Sequence, residues 1–405
     1  MSKILNIIKT KKIEIIIILL FLITSFSIRY INYASIPAPR KDEIKEDLLA
    51  LKILQGQYPL TNTVNYIGAF YQYTLAIFYI IFGAVADTAR LMSVFFGTLT
   101  VALTYILAKQ LYGRITGILS ATLLATSVAH VLIASHVGWS ASLTPFFGTL
   151  TVFTLNEALN RRKNKLFFAT GLVSGITLQT HPSSVFLIIG IGVYLLLYFY
   201  KHSFTIKPIT IIIISTTFGF ALGYINMIYF NIVNPLGSLT SAQNAGWTGI
   251  STLSPGVYLD RVIKLSIEYL RITGDYMKEY ARLVVILSNV KPLLFMLLTT
   301  LSGLYLLKRR RDADQLLLIL VGSAWLILPI GIRGFSYPNT WGGHYFMILL
   351  PILYIIISAP LSMLIETTNI KDKKRLLTTT IIVLIYLYSI STSMWTMFGL
   401  NGILG

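Results

Sequence analysis

The chain contains no cysteine. This excludes disulfides, thiolate metal sites and cysteine nucleophiles, while saying little about compartment. Charge is also scarce: 12% of the 405 residues are charged and only fifteen are carboxylates, against 55% apolar residues and a mean hydropathy of +0.73. There is no P-loop, no dinucleotide fingerprint and no stretch that reads as a soluble nucleotide-sugar domain. Such a composition describes a chain dissolved mainly in lipid. The short alternating segments of a β-barrel are missing, so the reading is an all-α polytopic membrane protein.

What the chain does have is a succession of hydrophobic runs of roughly 17–25 residues, each long enough to cross a ~30 Å hydrocarbon core as a helix. The first, residues 13–31, is long, follows a basic stretch and lacks a clear small-residue cleavage site, so it reads as a retained helix and not a signal peptide. A net charge of +18 invites a nucleic-acid reading, but the basic residues lie in short clusters between spans: 1–12, 109–114, 161–165, 201–207, 308–311 and 371–375 hold twenty of the 33 Lys and Arg. Short loops enriched in this way belong in the cytoplasm, so the charge reads as topology, with no nucleic-acid partner.

Placing all six clusters on one side requires that residues 66–85, although apolar, lie in or re-enter the outer interface. Their aromatic content (Tyr66, Phe70, Tyr71, Tyr73, Phe78, Tyr79) suits that position. About eleven spans follow, near 13–31, 90–109, 114–133, 141–158, 166–183, 184–200, 208–230, 283–307, 314–332, 345–366 and 376–398. The N-terminus is then cytoplasmic in a multi-pass cell-membrane protein, and the whole chain, 1–405, reads as one transmembrane unit. The outer face receives loop 32–89, the turn 135–139, the hairpin tip 179–184, loop 231–282 and the turn 333–345, so an active site would open there.

Four of the fifteen carboxylates, Asp42, Glu43, Glu46 and Asp47, sit within six positions just after the first span. Ile44, Leu48, Leu51 and Leu54 recur around them at spacings of three and four, which predicts an amphipathic helix over 42–55. Asp42 falls in or near its first turn, where the helix dipole favours an ionised carboxylate. Two readings stand: the acids solvate an interfacial helix, or one of them is a general base at the water–lipid boundary.

Several stretches carry a family likeness. They include Asp42-Glu43, the run 49–59 ending Gln55-Gly56-Gln57-Tyr58-Pro59, Gly68-Ala69-Phe70-Tyr71-Gln72-Tyr73, the runs 90–97 and 105–114, Ser135-His136 ahead of Leu143-Thr144-Pro145, the hairpin 171–182, and His344-Tyr345-Phe346 leading to Pro351. In their order and loop placement they resemble the integral-membrane C-type (GT-C) glycosyltransferases, most closely the protein O-mannosyltransferase and aminoarabinose transferase branch, over roughly residues 10–365. The resemblance implies an enzyme: an inverting, hexosyl- or mannosyl-transferase-like catalyst that moves a sugar from a polyprenyl-phosphate donor to a protein, lipid or glycan acceptor on the extracytoplasmic face. It implies Asp42 as base, with Glu43 second, since the acceptor group must lose a proton as it attacks. The departing lipid phosphate needs cationic or hydrogen-bonding partners, for which Arg90, Arg333, His344 and Tyr345 are the candidates. Tyr66, His136 and His181 are candidate substrate contacts.

His136, His181 and His344 reach the outer face with Asp42 and Glu43. The expectation is no resident metal, with a divalent cation as the minority alternative. The sequence departs from the family pattern at His136, where an arginine often follows the serine, and at Gly68-Ala69, usually Gly-Pro. With no large outer domain after the eleventh span, acceptor recognition is expected from loop 231–282 or from a partner. Competing readings are a transporter or flippase for lipid-linked sugars and a non-catalytic membrane partner of a glycosyltransferase. Against transport stand the few ionisable residues inside the spans and the lack of an inverted repeat.

Overall fold

The computed structural model describes residues 2–35, 41–245, 253–274, 290–331, 342–367 and most of 376–394. Among these residues the backbone is helical, and the one strand-like feature is an isolated bridge between Thr61 and Gly68. The first helices are α1 (Ser2–Tyr30), α2 (Lys41–Leu54), α3 (Phe70–Phe82), α4 (Ala86–Tyr112), α5 (Arg114–Thr126) and α6 (Val128–Ala134). Then come α7 (Thr144–Arg161), α8 (Asn164–Thr180), α9 (Val185–Lys201), α10 (Ile206–Gly223), α11 (Ile225–Val233) and α12 (Gly237–Asn244). The last are α13 (Pro255–Thr273), α14 (Val290–Arg309), α15 (Asp312–Gly331) and α16 (Leu350–Thr367).

The protein is a multi-pass membrane protein. Seven helical segments among the described residues are long and apolar enough to cross a bilayer, within α1, α4, α9, α10, α14, α15 and α16. The pair α5 and α6 is apolar enough to make an eighth only if taken together as one broken span, since it bends by 61° at Ser127. The segments expected at 141–158 and 166–183 are the helices α7 and α8, whose buried faces are rich in Thr, Ser and Gly and which are therefore less hydropathic than lipid-facing spans. The expected span 208–230 breaks at Tyr224 into α10 and α11. The expected span 376–398 lies partly, and the basic cluster 371–375 wholly, outside the described residues. The thirteen residues of the apolar helix α3 reach about 20 Å. That is too short for a ~30 Å core and agrees with an interfacial or re-entrant segment.

Two contacts fix the helix arrangement. Gly171 and Gly175 of α8 face Gly219 and Gly223 of α10, and at each glycine a side chain would collide with the opposing backbone, at Thr216 and Phe220 on one side and at Phe168 and Leu172 on the other. Paired small-xxx-small faces let the two backbones touch, the usual means of association where lipid removes the hydrophobic drive. At the bend, Ser127 accepts from the His130 amide (3.3 Å), while the fully buried Arg29 of α1 donates to the Leu124 and Ala125 carbonyls (3.2 and 3.3 Å). Those carbonyls belong to the last turn of α5, where a cation satisfies both orphan acceptors and the helix dipole.

Ion pairs gather the basic clusters at one end of the bundle. Glu14 meets Lys109 (2.7 Å) and Arg114 (2.6 Å), Tyr112 donates to Asp314 (2.9 Å), Arg309 pairs with Asp314 (2.8 Å) and Lys201 with Asp312 (2.7 Å). The starts of α2 and α4, the turn 135–139 and the tip 181–184 sit at the other end.

Candidate functional site

The site is organised by α2. As the spacing predicts it is amphipathic, but Ile44 and Leu48 point outward, each 54% exposed, while Glu43, Glu46 and Ala50 are buried against the protein. The acids therefore do not all solvate the helix. The chain that crosses beneath α2, residues 135–142, is partly extended, and its backbone N–H groups need acceptors. Glu43 accepts from the Gly138 amide (2.7 Å) and Glu46 from the Ser140 amide (2.8 Å). Positions three apart share a face of the helix, and N–H groups two apart share a side of extended chain, so the two glutamates match the two donors. Gly138 has no room for a side chain, since a Cβ there would lie 2.8 Å from that of Ala89.

Glu43 is also bound bidentately by Arg90 of α4, at 2.8 and 2.9 Å, with both side chains buried. Arg90 donates further to the Tyr33 and Ala34 carbonyls, both at 3.2 Å. Glu43 and Arg90 are thus placed against each other, joining α2, α4 and the exit of α1. Among the described residues Glu46 has neutral partners only: Gln72 of α3 (3.2 Å), Asn62, and the Ser140 amide and hydroxyl (2.8 and 3.1 Å). Burial, with a smaller push from Asp42, raises its carboxyl to about 7 against those hydrogen bonds. Burial and the nearby Glu43 raise Asp47 to about 7 as well.

Asp42 is different. Its side chain is 70% exposed, and it makes a loose ionic contact with Lys45 at 3.8 Å. It stands at a cavity of about 260 Å³ walled by Asp42 and Glu46 of α2, Tyr66 and Ile67 of the following loop, Trp139 and Ser140, His181, His344 and Tyr345. The volume is below the roughly 300–1,000 Å³ of drug-sized pockets, which suits one sugar ring better than a glycan chain. The aromatic wall is continuous: the His344 ring lies 5.0 Å from Trp139, 5.0 Å from His181 and 4.0 Å from Tyr345. His181 accepts from the Ser183 amide through Nδ1 (3.2 Å), capping the turn Pro182–Ser184. Burial and the neighbouring His344 hold it well below the ordinary histidine range, so it presents a neutral ring. Burial pushes the Tyr345 hydroxyl up to about 12, leaving it a donor.

Of the residues singled out in the sequence, Asp42, Tyr66, His181, His344 and Tyr345 share this cavity, although they come from four separate stretches. Glu43, Arg90 and His136 are not among its walls; His136 is buried and hydrogen-bonds the Arg29 carbonyl through Nε2 (2.7 Å). Arg333 lies outside the described residues. Glu46, Trp139 and Ser140 are wall residues that the motif reading left without a role. The spacing of Glu46 four residues after Asp42 was a usable signal, whereas nothing marked Ser140. Gly68, the half of the Gly-Pro pair that this chain keeps, has a local cause: a side chain there would collide with Gln179, which donates to the Gly223 carbonyl (2.7 Å). Among the described residues no Lys or Arg lines the cavity, and no group of three His, Asp or Glu converges where a metal would sit.

Residues 68–228 match the profile of the dolichyl-phosphate-mannose-protein mannosyltransferase family. No curated protein matches the chain in sequence. Solved structures share its fold. The Archaeoglobus fulgidus oligosaccharyltransferase in the apo form superposes with a TM-score of 0.60 at 13% identity, over 94% of this chain and 55% of that one. The same organism's oligosaccharyltransferase AglB, in complex with an inhibitory peptide and a dolichol-phosphate, gives 0.59 at 14%, over 95% and 56%. ArnT from Cupriavidus metallidurans, bound to undecaprenyl phosphate, gives 0.55 at 14%, over 92% and 63%. The chain thus spans between half and two thirds of the length of the structures it resembles. The resemblance to the C-type glycosyltransferases rests on the fold of nearly the whole chain and on this stretch of sequence.

Proposed function

We propose that this chain, with the fold of the C-type glycosyltransferases and a mannosyltransferase-family match over residues 68–228, transfers a single sugar from a polyprenyl-phosphate donor to an acceptor on the extracytoplasmic face. The observation that carries the reading is Asp42. It is an exposed carboxylate at the mouth of a sugar-sized cavity, on a helix locked in place by two buried glutamates. The bound polyprenyl phosphates of two structural neighbours support a lipid-linked donor.

The acceptor group attacks the anomeric carbon from the side of Asp42, which takes its proton, while the bond from that carbon to the phosphate oxygen breaks and the lipid phosphate departs. Attack opposite the leaving group inverts the centre. Asp42 is the base because its carboxylate is open to an acceptor at the cavity mouth, whereas the oxygens of Glu46 are taken up by Gln72, Asn62 and Ser140. Tyr66 and Tyr345 hydrogen-bond the sugar or its phosphate, Trp139 and His344 present flat faces to the ring, and Arg333 supplies charge to the phosphate. Glu43 and Arg90 act at one remove, by holding α2 and the turn 135–142 in register.

The test is to incubate the purified full chain with a panel of radiolabelled polyprenyl-phosphate monosaccharides and membrane acceptors. Label should move from at least one lipid-linked donor and from no nucleotide sugar. Donor binding without turnover across the panel, or turnover from a nucleotide sugar alone, contradicts the proposal.

A further inference from the structure

A cavity of about 490 Å³ lies at the basic end of the bundle, far from α2, where the α7–α8 and α9–α10 connections meet. Its floor is apolar, with Leu159, Phe167 and Ile212 all buried, and its rim is polar, with Arg162, Asn164 and Ser203 all exposed. Arg162 closes α7 in a left-handed conformation (φ 50°) and holds its guanidinium 5.5 Å over the ring of Phe204, also a wall residue.

The charge at this rim is unbalanced. The neighbouring acids are already used: Glu157 by Arg161 (2.5 Å), and Asp312 by Lys201 (2.7 Å) and His202 (3.0 Å). Arg162, Lys163, Lys165 and Lys207 have no carboxylate partner among the described residues. From the floor, an apolar track leaves the cavity. Ile211 lines it, and Ile214, Phe218 and Leu222 continue at helical spacing along α10, exposed by 62, 59 and 43%. Only three of the eighteen residues of α10 are buried, Ile212, Gly219 and Gly223, which leaves this apolar face open to lipid.

We propose that this cavity binds an anionic phospholipid of the leaflet at the basic end, its phosphate at Arg162 and its acyl chains along the Ile211–Leu222 track. A phosphate alone would leave the apolar floor in water, and a purely apolar ligand would strip water from Arg162 without a partner. A choline headgroup would bring a second cation to a rim that already has an excess.

The experiment is native mass spectrometry of the delipidated full chain titrated with dioleoyl phosphatidylglycerol or dioleoyl phosphatidylcholine, with inorganic phosphate as competitor. Phosphatidylglycerol should be retained roughly fivefold better, the scale of one arginine at an anionic lipid surface. Arg162→Gln should cut that preference to less than twofold. Asn164→Glu should do the same; it adds a carboxylate to the rim at a helix start that tolerates it, so the fold is kept. Equal retention of the two lipids, or an unchanged preference in both variants, overturns the proposal. Displacement by millimolar phosphate overturns it in favour of a small-anion site.

Discussion

At the scale of single residues, the adjacent acids Asp42 and Glu43 do opposite things because one helix turns them to opposite environments. Glu43 is buried with Arg90, and Coulombic attraction repays desolvation only while both partners are present. Glu43→Gln or Arg90→Met should therefore cost about 3–5 kcal/mol and lower the thermal midpoint in detergent by many degrees, with the double variant less damaged than the sum. Glu46 obeys a different rule. Burial holds its folded carboxyl near 7 against an ordinary 4.5, so the folded chain binds this proton more tightly than the unfolded one. Its contribution is unpenalised below about pH 4.5 and is lost progressively as pH rises toward 7. Glu46→Gln should remove that loss, raising stability at pH 8 by on the order of 1–3 kcal/mol and flattening the midpoint-against-pH curve between 4.5 and 7. A variant whose midpoint follows pH as the parent's does would show that Glu46 is ionised in the fold.

At the scale of elements, the two decisive contacts are backbone contacts. The turn 135–142 gives its N–H groups to α2, and α8 lies directly on α10 through four glycines. Gly171→Leu should force the pair apart, at a cost of about 3 kcal/mol or more, read as a lower midpoint and poor expression. Ala at Gly192, where nothing lies within 4 Å, should be silent in the same assay. These elements also show what could be read in advance. The existence and bounds of α2 were legible from Ile44, Leu48, Leu51 and Leu54, because a periodic pattern survives any orientation. Which side faced the protein was not, because that depends on where the turn 135–142 crosses, a long-range fact carried by no local signal. Likewise the hydrophobic runs near 141–158 and 166–183 marked α7 and α8, but their Thr and Gly faces only make sense once the neighbouring backbone is seen.

At the scale of the whole molecule, charge divides the protein into two ends. The basic loops converge through Glu14, Asp312 and Asp314, and the cavity with Asp42 opens at the other end. The clustering of Lys and Arg made this arrangement legible, since insertion reads loop charge before tertiary structure exists. The meeting of Asp42, Tyr66, His181, His344 and Tyr345 was legible only as a shared face, and Glu46 and Ser140 entered with the fold. The cysteine-free chain allows a direct test of orientation. Tyr58→Cys, at a side chain 75% exposed, should react with an impermeant thiol reagent in intact cells, and Lys163→Cys only after permeabilisation. The central claim, that the cavity beneath α2 is the reaction site with Asp42 as its base, is tested most directly by Asp42→Asn. Turnover from the preferred polyprenyl-phosphate sugar should fall by about 10²–10⁴-fold while donor binding and thermal midpoint stay at parental values. Turnover at the parental rate in a folded Asp42→Asn protein would contradict the account.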